Sequence, residues 1–276
     1  MSTPSGSTML EVLAMPFMQR ALAAGALAGL LGGLLGVFLV QRRLAFLAAG
    51  VSHGTFAGIG LGLFLGVSPF LVAVPTAVAI GLGLGYLRQG GGLTEDTLVG
   101  VLFAAGMGTG VVLLDLSEAN ASLSAYLFGS ILAIRPADLL FLGIVTLVTG
   151  GFVVSNWGRL TLIAFDRELA QASGLAVGLL DYGLFAAGSL AIVAAVKLIG
   201  IVLVSSFFVV PAACARLLGD TFAGATALAV TLGVATAVGG LLLGYPLQAP
   251  VGALIVLVQA VVFAGVLALG GRPGRG

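Results

Sequence analysis

Residues 221–271 read TFAGATALAVTLGVATAVGGLLLGYPLQAPVGALIVLVQAVVFAGVLALGG, without one Asp, Glu, Lys, Arg or His. A helix needs about 20 apolar residues to cross the hydrocarbon core of a bilayer, because every backbone N–H and C=O must be satisfied within the segment. The stretch is long enough for two such helices. Pro246 and Pro250, in the Tyr-Pro-Leu-Gln-Ala-Pro run at 245–250, remove two backbone donors and suit a tight turn between them. An uncharged hairpin of this length sets the class as a polytopic, all-α transmembrane helical bundle.

The same criterion applied upstream marks apolar segments at 21–40, 44–67, 70–87, 98–114, 139–154, 182–196 and 198–215, the last two short for spans and divided by Lys197. Residues 119–134 are also uncharged but short and interrupted by Gly129, which suggests a half-crossing or interfacial helix. The expected count is eight to nine spans in one domain covering 1–276. Composition agrees: 60% of the residues are apolar and 8% charged, with a mean hydropathy of +1.23, against about a quarter charged in soluble domains. A net charge of +1 supplies no basic field for nucleic acid. Residues 1–18 lack a basic n-region and carry Glu11 ahead of Arg20, so the first apolar segment is expected to be retained and not cleaved as a leader.

Lys and Arg are retained on the cytoplasmic side of a membrane. Placing the loop after the first span there puts Arg42, Arg43, Arg88, Arg159, Arg167, Arg216, Arg272 and Arg275 inside, and leaves Arg20, Arg135 and Lys197 at the other face. This predicts an outside N-terminus, a cytoplasmic C-terminus and one longer cytoplasmic segment at about 155–181.

Glycines 25, 29, 32, 33 and 36 recur at spacings of three and four in the first span, where small residues let helices approach closely. His53, the only histidine, lies in the second span between hydroxyls and small residues, in Gly50-Val-Ser-His-Gly-Thr-Phe-Ala-Gly58. An ionisable group at membrane depth is a candidate pathway residue, and neutral imidazole is a good ligand for divalent transition metals. The alternative is a histidine hydrogen-bonded to a neighbouring helix. Ser52 and Thr55 are its companion candidates. Lys197 either snorkels to the outer interface, the favoured reading, or faces a wet cavity. Cys214, the single cysteine, reads as a small packing residue.

In the long polar segment, Phe165-Asp-Arg-Glu-Leu-Ala-Gln-Ala-Ser-Gly174 starts with an aspartate able to cap a helix and ends on a glycine able to stop one. The prediction is a short surface helix, either a solvated connector or a docking element that presents Phe165 and Leu169 to a groove in a soluble partner. The chain carries no Walker lysine loop, Gly-x-Ser-x-Gly, His-Glu-x-x-His or cysteine pair, so ATP-driven transport would need an ATPase on another chain.

Four stretches resemble the membrane permeases of ABC importers for zinc, manganese and iron(II), over about 17–267. They are Gly36-Val-Phe-Leu-Val-Gln-Arg-Arg-Leu-Ala-Phe46 with Val51-Ser-His-Gly54, and Thr94-Glu-Asp-Thr-Leu-Val-Gly100. Then come Tyr126-Leu-Phe-Gly-Ser-Ile-Leu132 with Phe165-Asp-Arg-Glu-Leu-Ala170, and Gly200-Ile-Val-Leu-Val204 through Val210-Pro-Ala-Ala-Cys-Ala-Arg-Leu-Leu218. The resemblance implies a type II ABC importer permease architecture in the bacterial cytoplasmic (inner) membrane. It implies a homodimer around one pathway, two cytoplasmic ATPases that bind the ATP, and an extracytoplasmic protein that delivers the metal. Phe165, Asp166, Arg167, Glu168, Leu169, Ala170 and Gly174 would belong to the ATPase coupling surface.

The family commonly has an aspartate four residues before the Ser-His histidine; here that position is Ala49. Among zinc, manganese and iron(II), imidazole suits zinc, while manganese prefers oxygen donors that Ala49 fails to supply. Zinc is therefore the expected cargo. Two other functions stay open: an iron-chelate or cobalamin permease, which would be expected to lack the Ser-His sequence, and a stand-alone ion-coupled carrier using His53 and Lys197.

Overall fold

The computed structural model describes residues 9–89, 94–117, 123–129, 134–247 and 249–269. A short α1 (Met9–Ala14) leads into α2 (Pro16–Gln41), α3 (Leu47–Phe64), α4 (Pro69–Gln89) and α5 (Glu95–Leu116). After a one-turn α6 (Leu123–Phe128) come α7 (Pro136–Ser155), the surface pair α8 (Trp157–Phe165) and α9 (Arg167–Ala172), and α10 (Val177–Ile199). Three helices, α11 (Val204–Leu218), α12 (Phe222–Leu247) and α13 (Val251–Ala268), close the chain. Eight of the described helices have the length and apolarity of a membrane span; α11, at 15 residues, is about 22 Å long and shorter than the roughly 30 Å core.

Hydrogen bonds nevertheless place α11 from one end of the bundle to the other. Just before it, the N–H groups of Ile201 and Val202 donate to the carbonyls of Tyr126 and Leu127 on α6. Toward its far end, Arg216 Nη1 donates to the carbonyl of Val40, at the end of α2. Among the described residues, eight span-length helices and the shorter α11 thus run between the two ends of the bundle.

Two differences from the expected spans have local causes. Lys197 does not divide two short helices. It lies inside the last turn of the continuous α10, and the break falls at Gly200, whose φ of 94° lies where a side chain is strained. A Cβ there would also press on the backbone of Leu127–Gly129. The turn at 245–250 is narrower than expected, because α12 continues through Pro246 to Leu247, at the cost of the one ladder bond that a residue at 246 would donate to the Leu242 carbonyl. Residues 119–122 and 130–133 of the expected half-crossing segment lie outside the described residues, and α6 with Gly129 (φ 69°) and Ile134 is its described part.

The core gathers on α2, α3 and α10, while α5, α7 and α13 turn most of their apolar surface outward. The glycine stripe of α2 explains its central place. A Cβ at Gly29 would lie 2.5 Å from the Gly233 carbonyl of α12, and Cβ atoms at Gly32 and Gly36 would run into the carbonyls of Phe207 and Phe208 on α11. Pro211, inside α11, has no N–H to offer the Phe207 carbonyl, and that oxygen instead faces the bare backbone of Gly32. Close backbone approach maximises dispersion contact where lipid tails leave no hydrophobic drive between helices. Cys214 is buried and free in this seam.

Candidate functional site

His53 sits in mid-α3, 7% exposed. Its Nδ1 is 2.9 Å from the carbonyl oxygen of Ala49, one turn back, and 3.2 Å from Ser52 Oγ, which itself donates to Ala49 O at 3.0 Å. A carbonyl only accepts, so Nδ1 carries the proton and Nε2 keeps its lone pair, the tautomer a metal ligand needs. Thr55 Oγ1 donates to the Val51 carbonyl at 2.6 Å. All three hydrogen-bonding side chains are thus anchored to their own helix and not to a neighbour, which removes the interhelical bond as the reason for a histidine here.

The surrounding packing is tight. The Phe103 ring of α5 covers the imidazole at 4.1 Å between centroids, tilted by 34°. Gly106 brings α5 against the backbone of His53 and Gly54, where a Cβ would lie 2.6 Å from the His53 carbonyl. Among the described residues no three His, Cys, Asp or Glu side chains converge on a common point. His53 is a single donor with hydroxyl companions, and the side chain at 49 is a methyl group.

Lys197, the other ionisable candidate, is paired with Asp138 Oδ1 at the start of α7, and its Nζ lies 4.8 Å from the centre of the Phe70 ring. That cluster sits at the bundle end opposite Arg42, so it closes α4, α7 and α10 together there.

At the Arg42 end, the polar segment folds into an elbow of two helices where one was expected, and α10 already begins at Val177. Asp166 caps α9, its Oδ1 accepting the N–H of Leu169 at 2.8 Å, and Gly174 follows the helix with φ 76°. Ala170 is buried with Ile163 and Val177 in a small core of the elbow's own. Phe165 does not simply point outward. Its ring meets Phe222 edge-on at 5.5 Å, joining Phe38 and Trp157 in an aromatic cluster that ties the elbow to α2 and α12. Such contacts contribute about 0.5–1.5 kcal/mol per pair beyond burial. Phe165 is still 61% exposed and Leu169 52%. Beside them opens a cleft of about 960 Å³ between Val37, Gln41, Phe165, Arg216, Asp220 and Phe222.

One group at this end escaped sequence reasoning. Asp181, in the second turn of α10, accepts from Arg42 Nη2 at 2.6 Å through Oδ1 and from Arg167 Nη1 through Oδ2. Its side chain and that of Arg42 are 5% and 4% exposed. The available signal was the aspartate itself, since a carboxylate entering a span must find a cation.

A bundle with eight span-length apolar helices among its described residues, a central helix with a pre-set imidazole, and a charged elbow at one end define an integral membrane permease. The chain belongs to the ABC 3 transport family, which it matches over residues 14–270. It is 34% identical over 259 residues to the manganese transport system membrane protein MntC of Halalkalibacterium halodurans, covering 92% of this chain and 87% of that one. It is 29% identical over 244 residues to the high-affinity zinc uptake system membrane protein ZnuB of Haemophilus influenzae, covering 88% and 94%. Its fold resembles the structure of PsaBC from Streptococcus pneumoniae in complex with Fab, with a TM-score of 0.85, 26% identity and 94% of each chain covered.

Proposed function

We propose that this chain is the membrane subunit of an ATP-driven importer of divalent transition-metal ions, with zinc favoured over manganese or iron(II). Membership of a transport family and similarity to proteins named for manganese and zinc transport support the cargo class. The observation that carries the reading is the pair of features at two depths of one bundle: His53 with Nε2 available in the central helix, and the capped elbow 165–174 exposed at the arginine-rich end.

In this reading the Arg42 end is cytoplasmic, because Arg42, Arg43, Arg159, Arg167 and Arg216 gather there, and the N-terminus is outside. Two copies surround one pathway, a cytoplasmic ATPase pair docks on Leu169, Glu168 and the exposed edge of Phe165, and an extracytoplasmic protein delivers the ion to the face that carries Lys197 and Asp138. ATP is bound and hydrolysed by the partner.

Zinc preference follows from the donors. One imidazole with hydroxyl neighbours and no carboxylate at 49 suits a borderline-soft ion over an oxygen-seeking one. With so few ligands the ion is held weakly in passage, and selection falls to the delivery protein. Uptake of radioactive zinc by cells that depend on this permease, challenged by excess manganese or iron(II), tests the preference. Manganese displacing zinc at equal concentration would reverse it.

A further inference from the structure

Asp181 joins three helices through charge: α9 through Arg167, α2 through Arg42, and its own α10. The two halves of this clasp differ. The Arg42 side chain is 4% exposed and Asp181 5%, whereas Arg167 is 39% exposed. In a desolvated site the Arg42–Asp181 pair is held strongly, since separating it would strand a buried charge. The Arg167 contact is half-solvated and reforms easily. Asp181 is therefore a fixed socket on the bundle, and Arg167 is the arm that engages it from the elbow.

We propose that Asp181 is the positioning residue through which the displacement of α9 reaches the spans, with Arg167 as its elbow-side contact and Arg42 as its anchor on α2. The inference rests on the reading of this chain as an ATPase-coupled permease. The path beyond Arg42 is continuous and stiff. Helix α2 runs from the clasp into the glycine seam, where Gly29 meets Gly233 of α12 and Gly32 and Gly36 meet the Phe207 and Phe208 carbonyls of α11. Helices in backbone contact have no soft side-chain layer to absorb a shift. A push on α9 is thus delivered to α2 and α10 together, as a shear of packed helices and not as a local bend. Other charged groups at this end stand apart from the carboxylate: Arg216 is committed to the Val40 carbonyl, and Asp166 to the cap of α9.

The expected signature is uncoupling with the complex intact. The assay is the permease purified with its ATPase, reconstituted in liposomes, reading metal transported per ATP hydrolysed. Arg167→Gln should still copurify with the ATPase while metal transported per ATP hydrolysed, a ratio that corrects for any change in basal hydrolysis, falls on the order of tenfold, within the usual range of coupling between sites. Arg167→Lys should restore most of the ratio, because Asp181 Oδ2 takes a single donor from this side chain. Asp181→Asn should match Arg167→Gln; should that variant not fold, the half-exposed Arg167 pair still decides. A wild-type ratio in Arg167→Gln overturns the proposal, as does loss of the ATPase from the Arg167→Gln complex, which would make the residue a docking contact. A wild-type permease that shows no ATP-driven uptake removes the underlying reading, and this one with it.

Discussion

Adding one methyl group at Gly29 should destabilise the bundle although alanine is the better helix former. The Cβ of Gly29→Ala would lie 2.5 Å from the carbonyl carbon and oxygen of Gly233 and 2.7 Å from the nitrogen of Val234, all backbone atoms. Carbon contacts settle at about 3.5–4.0 Å, so α2 and α12 must part by roughly 1 Å at their crossing, and rotamer changes cannot relieve it. Overpacking of this kind costs about 1–3 kcal/mol. The propensity gain of alanine over glycine, about 1 kcal/mol, offsets only part. The control is Gly143→Ala in α7, where a Cβ meets nothing within 4 Å, so only the propensity gain remains. The single thiol provides the readout: Cys214 is buried in the neighbouring α11 seam, and a thiol-reactive dye reports its exposure on heating in detergent. Gly29→Ala should melt several degrees below wild type and Gly143→Ala at or above it. Equal melting temperatures for the two variants would refute close backbone approach as the source of stability in this seam.

Further outcomes follow from the two ends and the middle of the bundle. Gly200→Ala combines a φ of 94° with a clash against the α6 carbonyl end; the same dye assay should show a loss exceeding that of Gly29→Ala, since strain of about 1 kcal/mol or more adds to overpacking. The ion pairs should rank by exposure. Because Lys197 is 36% exposed, a double-mutant cycle of Lys197→Met with Asp138→Asn should give no more than about 1 kcal/mol, while Arg42→Met should cost about 3 kcal/mol by leaving the buried Asp181 with only its half-exposed contact to Arg167; the reverse order would contradict the burial argument. His53→Gln should lower metal uptake by at least the roughly tenfold typical of losing even an outer-shell partner at a metal site, with unchanged assembly by size-exclusion chromatography; undiminished uptake would remove His53 from the pathway.

Hydropathy is a local property, and the spans were legible to the extent that they depend on it. The glycines of the first span were readable for the same reason, since their spacing marks one face whatever lies opposite. Lys197 misled because a charge in an apolar run looks like a boundary. It is carried inside α10 because Asp138, 59 positions away, neutralises it, and the true break waits for the backbone freedom of Gly200. The capped helix at the elbow could be read from Asp166 and Gly174, both of which act within a few residues. The Phe165 contact with Phe222 could not, and neither could the Asp181 clasp, whose partners are 14 and 139 positions away. For His53 the sequence located the group, but only the Ala49 hydrogen bond assigned its proton.

Ions are expected to cross this bundle when a partner ATPase works on the elbow. Zinc uptake into liposomes holding the permease with its ATPase, ATP and delivery protein, compared with an ATPase variant that binds but cannot hydrolyse ATP, tests it most directly. Sustained accumulation against a gradient is expected with the active partner, and none beyond binding with the inactive one. Equal accumulation in both, or uptake by the permease alone down a proton gradient, would contradict it.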